Sequence, residues 1–182
     1  QYVQAEEFAN RYALRYPKGR DGQAVYFFKI QSLYASGQLD KALELLRNDE
    51  APLSPQVEAL KARIFFDQKQ WTQVIAILEK STSEEHASER ALQRMLAESY
   101  FQAGQDAKAQ PLFTQIVTTD KDNEQARFRL AQIAQRSNDT ELALNLYKEL
   151  AEKKTTSPWT RLAGEEAALL QLQLKNNSIA PK

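Results

Sequence analysis

The chain has 182 residues, no cysteine, and 24 basic residues against 24 acidic ones, so it carries no net charge. Disulfides, thiolate catalysis and cysteine-ligated metals are excluded, and without excess cations little counterion release is available to drive general nucleic-acid binding. No apolar run reaches the roughly 18 residues that a membrane-spanning helix needs.

The five glycines and six prolines fall mostly between stretches whose apolar residues recur at three and four positions, as in an array of helical hairpins. Ala5, Phe8, Tyr12 and Pro17 fit residues 1–18 as the second helix of a repeat whose first helix lies upstream, followed by a loop lengthened by Gly19-Arg20-Asp21-Gly22. Because it begins at Gln1 rather than Met, the chain is expected to be an excised or processed piece of a longer array.

Four repeats are then expected over residues 23–158, at about 23–53, 55–88, 90–122 and 124–157. The first pairs helices over 24–36 and 39–47 about Gly37-Gln38. Tyr26, Ile30 and Leu33 share one face, and Gly37 supplies the left-handed residue that ends a helix. The second pairs 55–68 with 71–80, with Ser54 as N-cap and Pro55 at the first helical position; its turn, Lys69-Gln70, has no glycine. The third pairs a helix ending near Ala103 with one starting near Asp106, and Pro111, a turn into the latter, predicts a kink or an early 3₁₀ start. In the fourth, Asp139 or Thr140 caps the second helix, and Asn138 replaces the turn glycine as the ordinary residue best able to turn left-handed. Pro158, Trp159, Leu162 and Ala163 open a last helix within 159–182, expected to run to about Lys175 before a polar tail from Asn176 to Lys182 and to act as a half repeat or cap.

Ala42, Val74, Ala109 and Ala143 stand 32, 35 and 34 residues apart, one helical hairpin each. A small side chain at one place per hairpin lets paired helices nest. The third hairpin adds Leu96, Ala97, Tyr100, Gly104 and Phe113, and the fourth Leu130, Ala131, Ala134 and Tyr147. On these residues the chain resembles the tetratricopeptide-repeat family from about residue 5 to 163. The resemblance implies an all-α fold, a right-handed superhelix of stacked antiparallel helix pairs, and a non-enzymatic protein-interaction scaffold. Ile30 at the close-packing site, and Lys121 and Thr155 where the family has a terminal proline, predict packing angles that vary between repeats. Tyr16-Pro17-Lys18-Gly19 ahead of the Tyr26 helix is similar to bacterial cell-envelope variants of the family, which implies periplasm or envelope, with cytoplasm as the alternative.

Catalysis needs histidine, lysine or paired carboxylates held in a dry pocket. The only histidine, His86, sits in the charged loop Ser83-Glu84-Glu85-His86, and no zinc set can be assembled around it. The neighbours in Glu6-Glu7, Glu84-Glu85 and Glu165-Glu166 point about 100° apart on a helix. Gly19 and Gly22 follow no strand, so no phosphate loop is formed. We therefore expect no enzyme, no cofactor and no metal.

In the family, the first helix of each pair lines the concave groove. This frame implies Phe27, Gln31 and Tyr34, then Arg63, Phe66 and Asp67, then Arg94, Glu98, Phe101 and Gln102, then Phe128, Gln132, Gln135 and Arg136 as partner-binding residues. For Phe66, Phe101 and Phe128 the alternative is core packing between repeats. Phe27, Gln31, Ala59 and Arg63 stand where the family's Lys and Asn carboxylate clamp would be, so the expected partner is a protein helix or a longer extended peptide. In that reading Arg63, Arg94 and Arg136 meet acidic side chains, while Asp67 and Glu98 set register. The rival reading is an architectural spacer that self-associates through its half repeats, residues 5–12 and 169–174. Helical-repeat RNA binding is a third, against which the neutral charge argues.

Overall fold

Local signals decide where each helix begins and ends. In the computed structural model, described over residues 2–15, 22–47, 54–80, 90–153 and 155–179, ten helices and no strand occur among the described residues. They are α1 (Tyr2–Arg15), α2 (Gly22–Ala35), α3 (Leu39–Arg47), α4 (Pro55–Asp67), α5 (Trp71–Lys80), α6 (Arg90–Gln102), α7 (Asp106–Thr119), α8 (Glu124–Arg136), α9 (Thr140–Ala151) and α10 (Pro158–Ile179). The fold of the described residues is all-α and built of helical hairpins. It divides into two compact units, Gln1–Met95 and Leu96–Lys182, with the boundary inside α6. His86 with its loop, and Tyr16-Pro17-Lys18-Gly19, lie outside the described residues.

One turn chemistry recurs in all four hairpins. Gly37, Lys69, Gly104 and Asn138 have φ of 78°, 57°, 72° and 62°. In each case the turn residue's N–H bonds the carbonyl three residues back, and the next N–H bonds the carbonyl five back, as in Gly37 to Tyr34 and Gln38 to Leu33. This double closure satisfies carbonyls that the helix end would otherwise leave unpaired. The turn at Lys69 therefore holds an L-residue left-handed without help from glycine.

N-terminal caps supply the other boundary. Ser54 Oγ accepts from the Val57 amide at 3.4 Å, Asn123 Oδ1 from Ala126 at 3.0 Å, and Asp139 Oδ1 from Leu142 at 3.1 Å. The cap of α9 is thus Asp139 rather than Thr140. Ser157 Oγ accepts from the Thr160 amide at 3.2 Å and so caps α10.

Two expectations about helix continuity are corrected. The segment Asp106–Thr119 is α-helical through Pro111, with no 3₁₀ start. Pro111 is exposed and lies in the second turn, so its ring meets solvent and one backbone donor is missing. At the other end α10 continues to Ile179 instead of giving way to a tail at Asn176, because no glycine or proline interrupts the chain between Gly164 and Pro181.

Ala42, Val74, Ala109 and Ala143 have no solvent exposure, as nesting of paired helices demands. In the first unit Ile30, Leu33, Leu46, Val57 and Ile64 join α2, α3 and α4 in one core. Tyr26 anchors its edge, donating its hydroxyl to the Leu45 carbonyl at 2.7 Å, and burial pushes the phenol pKa up. In the second unit Phe128, Tyr147, Leu150, Ala163 and Leu170 join α8, α9 and α10. Tyr147 is fully buried yet satisfied, its hydroxyl donating to Gln135 Oε1 at 2.9 Å.

Candidate functional site

Within the first unit the expected binding residues split into a packed set and an exposed set. Phe27 is half-buried against the α2–α4 core and meets Phe28 edge-on at 5.8 Å. Phe66 is half-buried, edge-on to Trp71 at 5.3 Å. Gln31, Arg63, Asp67 and Arg94 are exposed. Tyr34 links α2 to α4 by donating its hydroxyl to Asp67 Oδ2 at 2.5 Å. Partial burial, then the bond to Asp67 and its negative charge, raise the Tyr34 pKa, while Arg63 opposes the shift.

In the second unit the sequence frame placed two residues on a binding face that the fold turns inward. Phe101 is 2% exposed and Phe128 is 4% exposed. Phe128 packs on Tyr147 and Trp159, with ring centroids 5.4 and 5.5 Å away. Phe101 lies edge-on to Phe113 and takes two cations, Arg136 at 3.9 Å and Arg129 at 4.5 Å from its centroid. Both rings therefore follow the packing alternative, since a ring with so little exposed area has none left for a partner.

Glu98 is also buried, at 8% exposure, and its charge is matched by a residue the sequence frame missed. Arg129 donates Nη2 to Glu98 Oε1 at 2.6 Å and Nε to Oε2 at 3.0 Å, a bidentate pair between α6 and α8. Such a pair holds planar geometry as well as charge. Gln102 Nε2 donates to Oε1 at 2.7 Å, Gln125 Nε2 to Oε2 at 3.4 Å, and Arg129 Nη1 to Gln132 Oε1 at 2.7 Å. Trp159 lies 5.7 Å from the Arg129 guanidinium. Arg136, exposed, donates Nη1 to Asp106 Oδ1 at 3.0 Å and to the Phe101 carbonyl at 3.2 Å. Arg129 was missed because it adjoins Phe128 and sits off the face that the repeat frame assigns to binding; an opposite charge about one repeat after Glu98 was the signal that marked it.

Next to this network the loop before α10 is strapped to the start of α8. Glu124 accepts the Thr155 hydroxyl at 2.6 Å and also the Ser157 hydroxyl. Lys153 Nζ donates to the Lys121 carbonyl at 3.3 Å and to Asp122 at 3.4 Å. The hydroxyl bonds from Ser157 and Thr155, ahead of the nearby Lys153 charge, lower the Glu124 pKa.

Among the described residues no group of three or more His, Asp or Glu side chains converges as metal ligands, and no helix is long and apolar enough to cross a membrane.

Comparison with known families finds two matches. A family model described as anaphase-promoting complex, cyclosome, subunit 3, matches residues 1–81, and one described as tetratricopeptide repeat matches residues 100–165. No curated protein matches the chain.

Proposed function

We propose, on the premise that this is a protein of the tetratricopeptide-repeat family, that the chain is a scaffold segment binding a partner protein's helix or extended stretch along its first helices. Repeats of this kind generally mediate protein–protein interaction, and the broad reading rests on that. The finer reading rests on one observation: Gln31, Arg63, Asp67, Arg94, Gln102 and Arg136 are all exposed, and they recur on the first helices α2, α4, α6 and α8. Phe27, Tyr34 and Phe66 in the first unit and Gln132 in the second are half-buried, and within the second unit Phe101 lies against Arg136 and Glu98 accepts from Gln102. Arginine on an exposed face is a common anchor of protein interfaces.

A triple substitution, Arg63→Ala with Arg94→Ala and Arg136→Ala, tests this in a capture experiment from the source organism's extract. Loss of the captured band with unchanged helicity is expected; equal capture by the variant overturns the assignment of these residues.

Self-association is the second reading, and α10 favours it. Leu169 is 54% and Leu172 58% exposed, on the side of α10 away from buried Ala163, Ala167 and Leu170. Light scattering that returns the mass of a single chain at high concentration defeats this reading. The Tyr16-Pro17 dipeptide supports placing the chain among bacterial cell-envelope forms of the family, which fractionation of the source cells tests.

A further inference from the structure

Ile30, Ala62, Ala97 and Ala131 each stand seven residues before the left-handed residue of their hairpin turn, and none has any solvent exposure. In α10 the same place is taken by Ala163, equally unexposed. Counted from these residues, α10 leaves the pattern of the other first helices at two places. Two residues on stand Ser32, Ile64, Ser99 and Ile133, all buried and uncharged, whereas α10 has Glu165, its side chain 55% exposed and paired with Arg161 at 3.1 Å. Seven residues on stand the turn residues Gly37, Lys69, Gly104 and Asn138, whereas α10 has Leu170, buried and helical. With no turn at that place, α10 runs for 22 residues against 13 or 14 in α2, α4, α6 and α8. A hairpin closed on α10 in the manner of the other four would bury the Glu165 carboxylate, and removing a charge from water opposes it.

The outward stripe of α10 is complementary to a reversed copy of itself. Glu165, Leu169, Leu172 and Asn176 are spaced four, three and four residues apart, so they share one face of the helix, opposite buried Ala163, Ala167 and Leu170; all four are exposed. Laid side by side in the same direction, two such stripes set Glu165 against Glu165, like charges in one layer. Laid in opposite directions about a point between Leu170 and Gln171, they set Leu169 against Leu172 twice. Glu165 then stands opposite Asn176, whose –NH2 donates to a carboxylate. Only the reversed arrangement keeps like charges apart within the stripe. We propose that two copies of this chain associate through α10, antiparallel about the Leu169–Leu172 centre, with Asn176 of each copy donating to Glu165 of the other. The pair is isologous, so every contact occurs twice. This rests on the self-association reading and names its surface, direction and register.

Sedimentation equilibrium of the whole chain over a wide concentration range is expected to show monomer and dimer in exchange. Leu172→Ala is expected to weaken the dimer at least about tenfold with helicity unchanged, because Leu172 is exposed in the single chain and its burial is lost from both halves of the pair. The chain has no cysteine, so single introduced cysteines report contacts without background. With a short bis-maleimide, a mixture of the Glu165→Cys and Asn176→Cys chains is expected to give the mixed cross-linked pair. Glu165→Cys alone is expected to stay unlinked, since its two copies then lie about 16 Å apart along the helices. A dimer that links Glu165→Cys to itself, that gives no mixed pair, or that is indifferent to Leu172→Ala overturns the inference and leaves self-association to another surface. The mass of a single chain at every concentration gives the α10 face to another occupant, and overturns the inference and the self-association reading together.

Discussion

Lys69 adopts φ of 57° where two other hairpins use glycine. Left-handed backbone costs an L-residue roughly 1–2 kcal/mol, and glycine loses about 0.4–1 kcal/mol of that advantage to the greater freedom of the unfolded chain. Lys69→Gly should therefore stabilise the protein by about 0.5–1 kcal/mol, seen as a higher urea midpoint with unchanged slope. Gly104→Ala should destabilise it through backbone strain alone, because an added Cβ there meets nothing within 4 Å. Glu124 supplies a pH prediction with a definite sign. Its pKa is lowered in the folded state from the ordinary 4.5 by the Ser157 and Thr155 hydroxyls. A depressed carboxyl pKa favours folding above the unfolded value, and that contribution disappears as pH falls through the folded value. Urea titrations of Glu124→Gln should show it less stable than the parent at pH 7, with the gap closing below about pH 4.5. A gap that stays constant into acid would mean the strap is not held by the ionised carboxylate.

Helix boundaries were the most readable part of the chain because their causes are local. Ser54-Pro55, Gly37 and Asn138 announce starts and stops within one turn of themselves, and α3, α4 and α5 begin where the sequence places them. Asp139→Ala should cost about 1 kcal/mol by leaving the Leu142 amide without its cap, measured as a lower thermal midpoint. The end of α10 was less readable, since asparagine and serine at 176–178 suggest a tail by composition while nothing stops the helix sterically. At Pro111 the early 3₁₀ start does not occur, because an exposed proline so near the start of α7 perturbs few bonds.

Each compact unit contains one tryptophan, Trp71 in the first and Trp159 in the second. In repeat architectures stability is a sum of local and nearest-neighbour terms, so damage stays near its source. Ala143 is fully buried in the core of the second unit, and Ala143→Leu should overpack it at a cost of about 1–3 kcal/mol. Paired single-tryptophan variants, Trp71→Phe and Trp159→Phe, separate the signals. The midpoint reported by Trp159 should fall, and that reported by Trp71 should move much less; equal shifts would mean the chain unfolds as one block.

The period of small residues, the helical class and the hairpin turns were legible because backbone geometry repeats wherever the same local chemistry does, and Ala42, Val74, Ala109 and Ala143 display that chemistry openly. The candidate surface was only half legible. Arg63, Arg94 and Arg136 are exposed, yet the repeat frame is blind to side chains that reach across to a neighbouring helix. Packing alone decided that Phe101 and Phe128 turn inward and that Glu98 is answered by Arg129. A buried charge must find its partner in three dimensions, and no spacing along one helix says which residue of the next will be within reach.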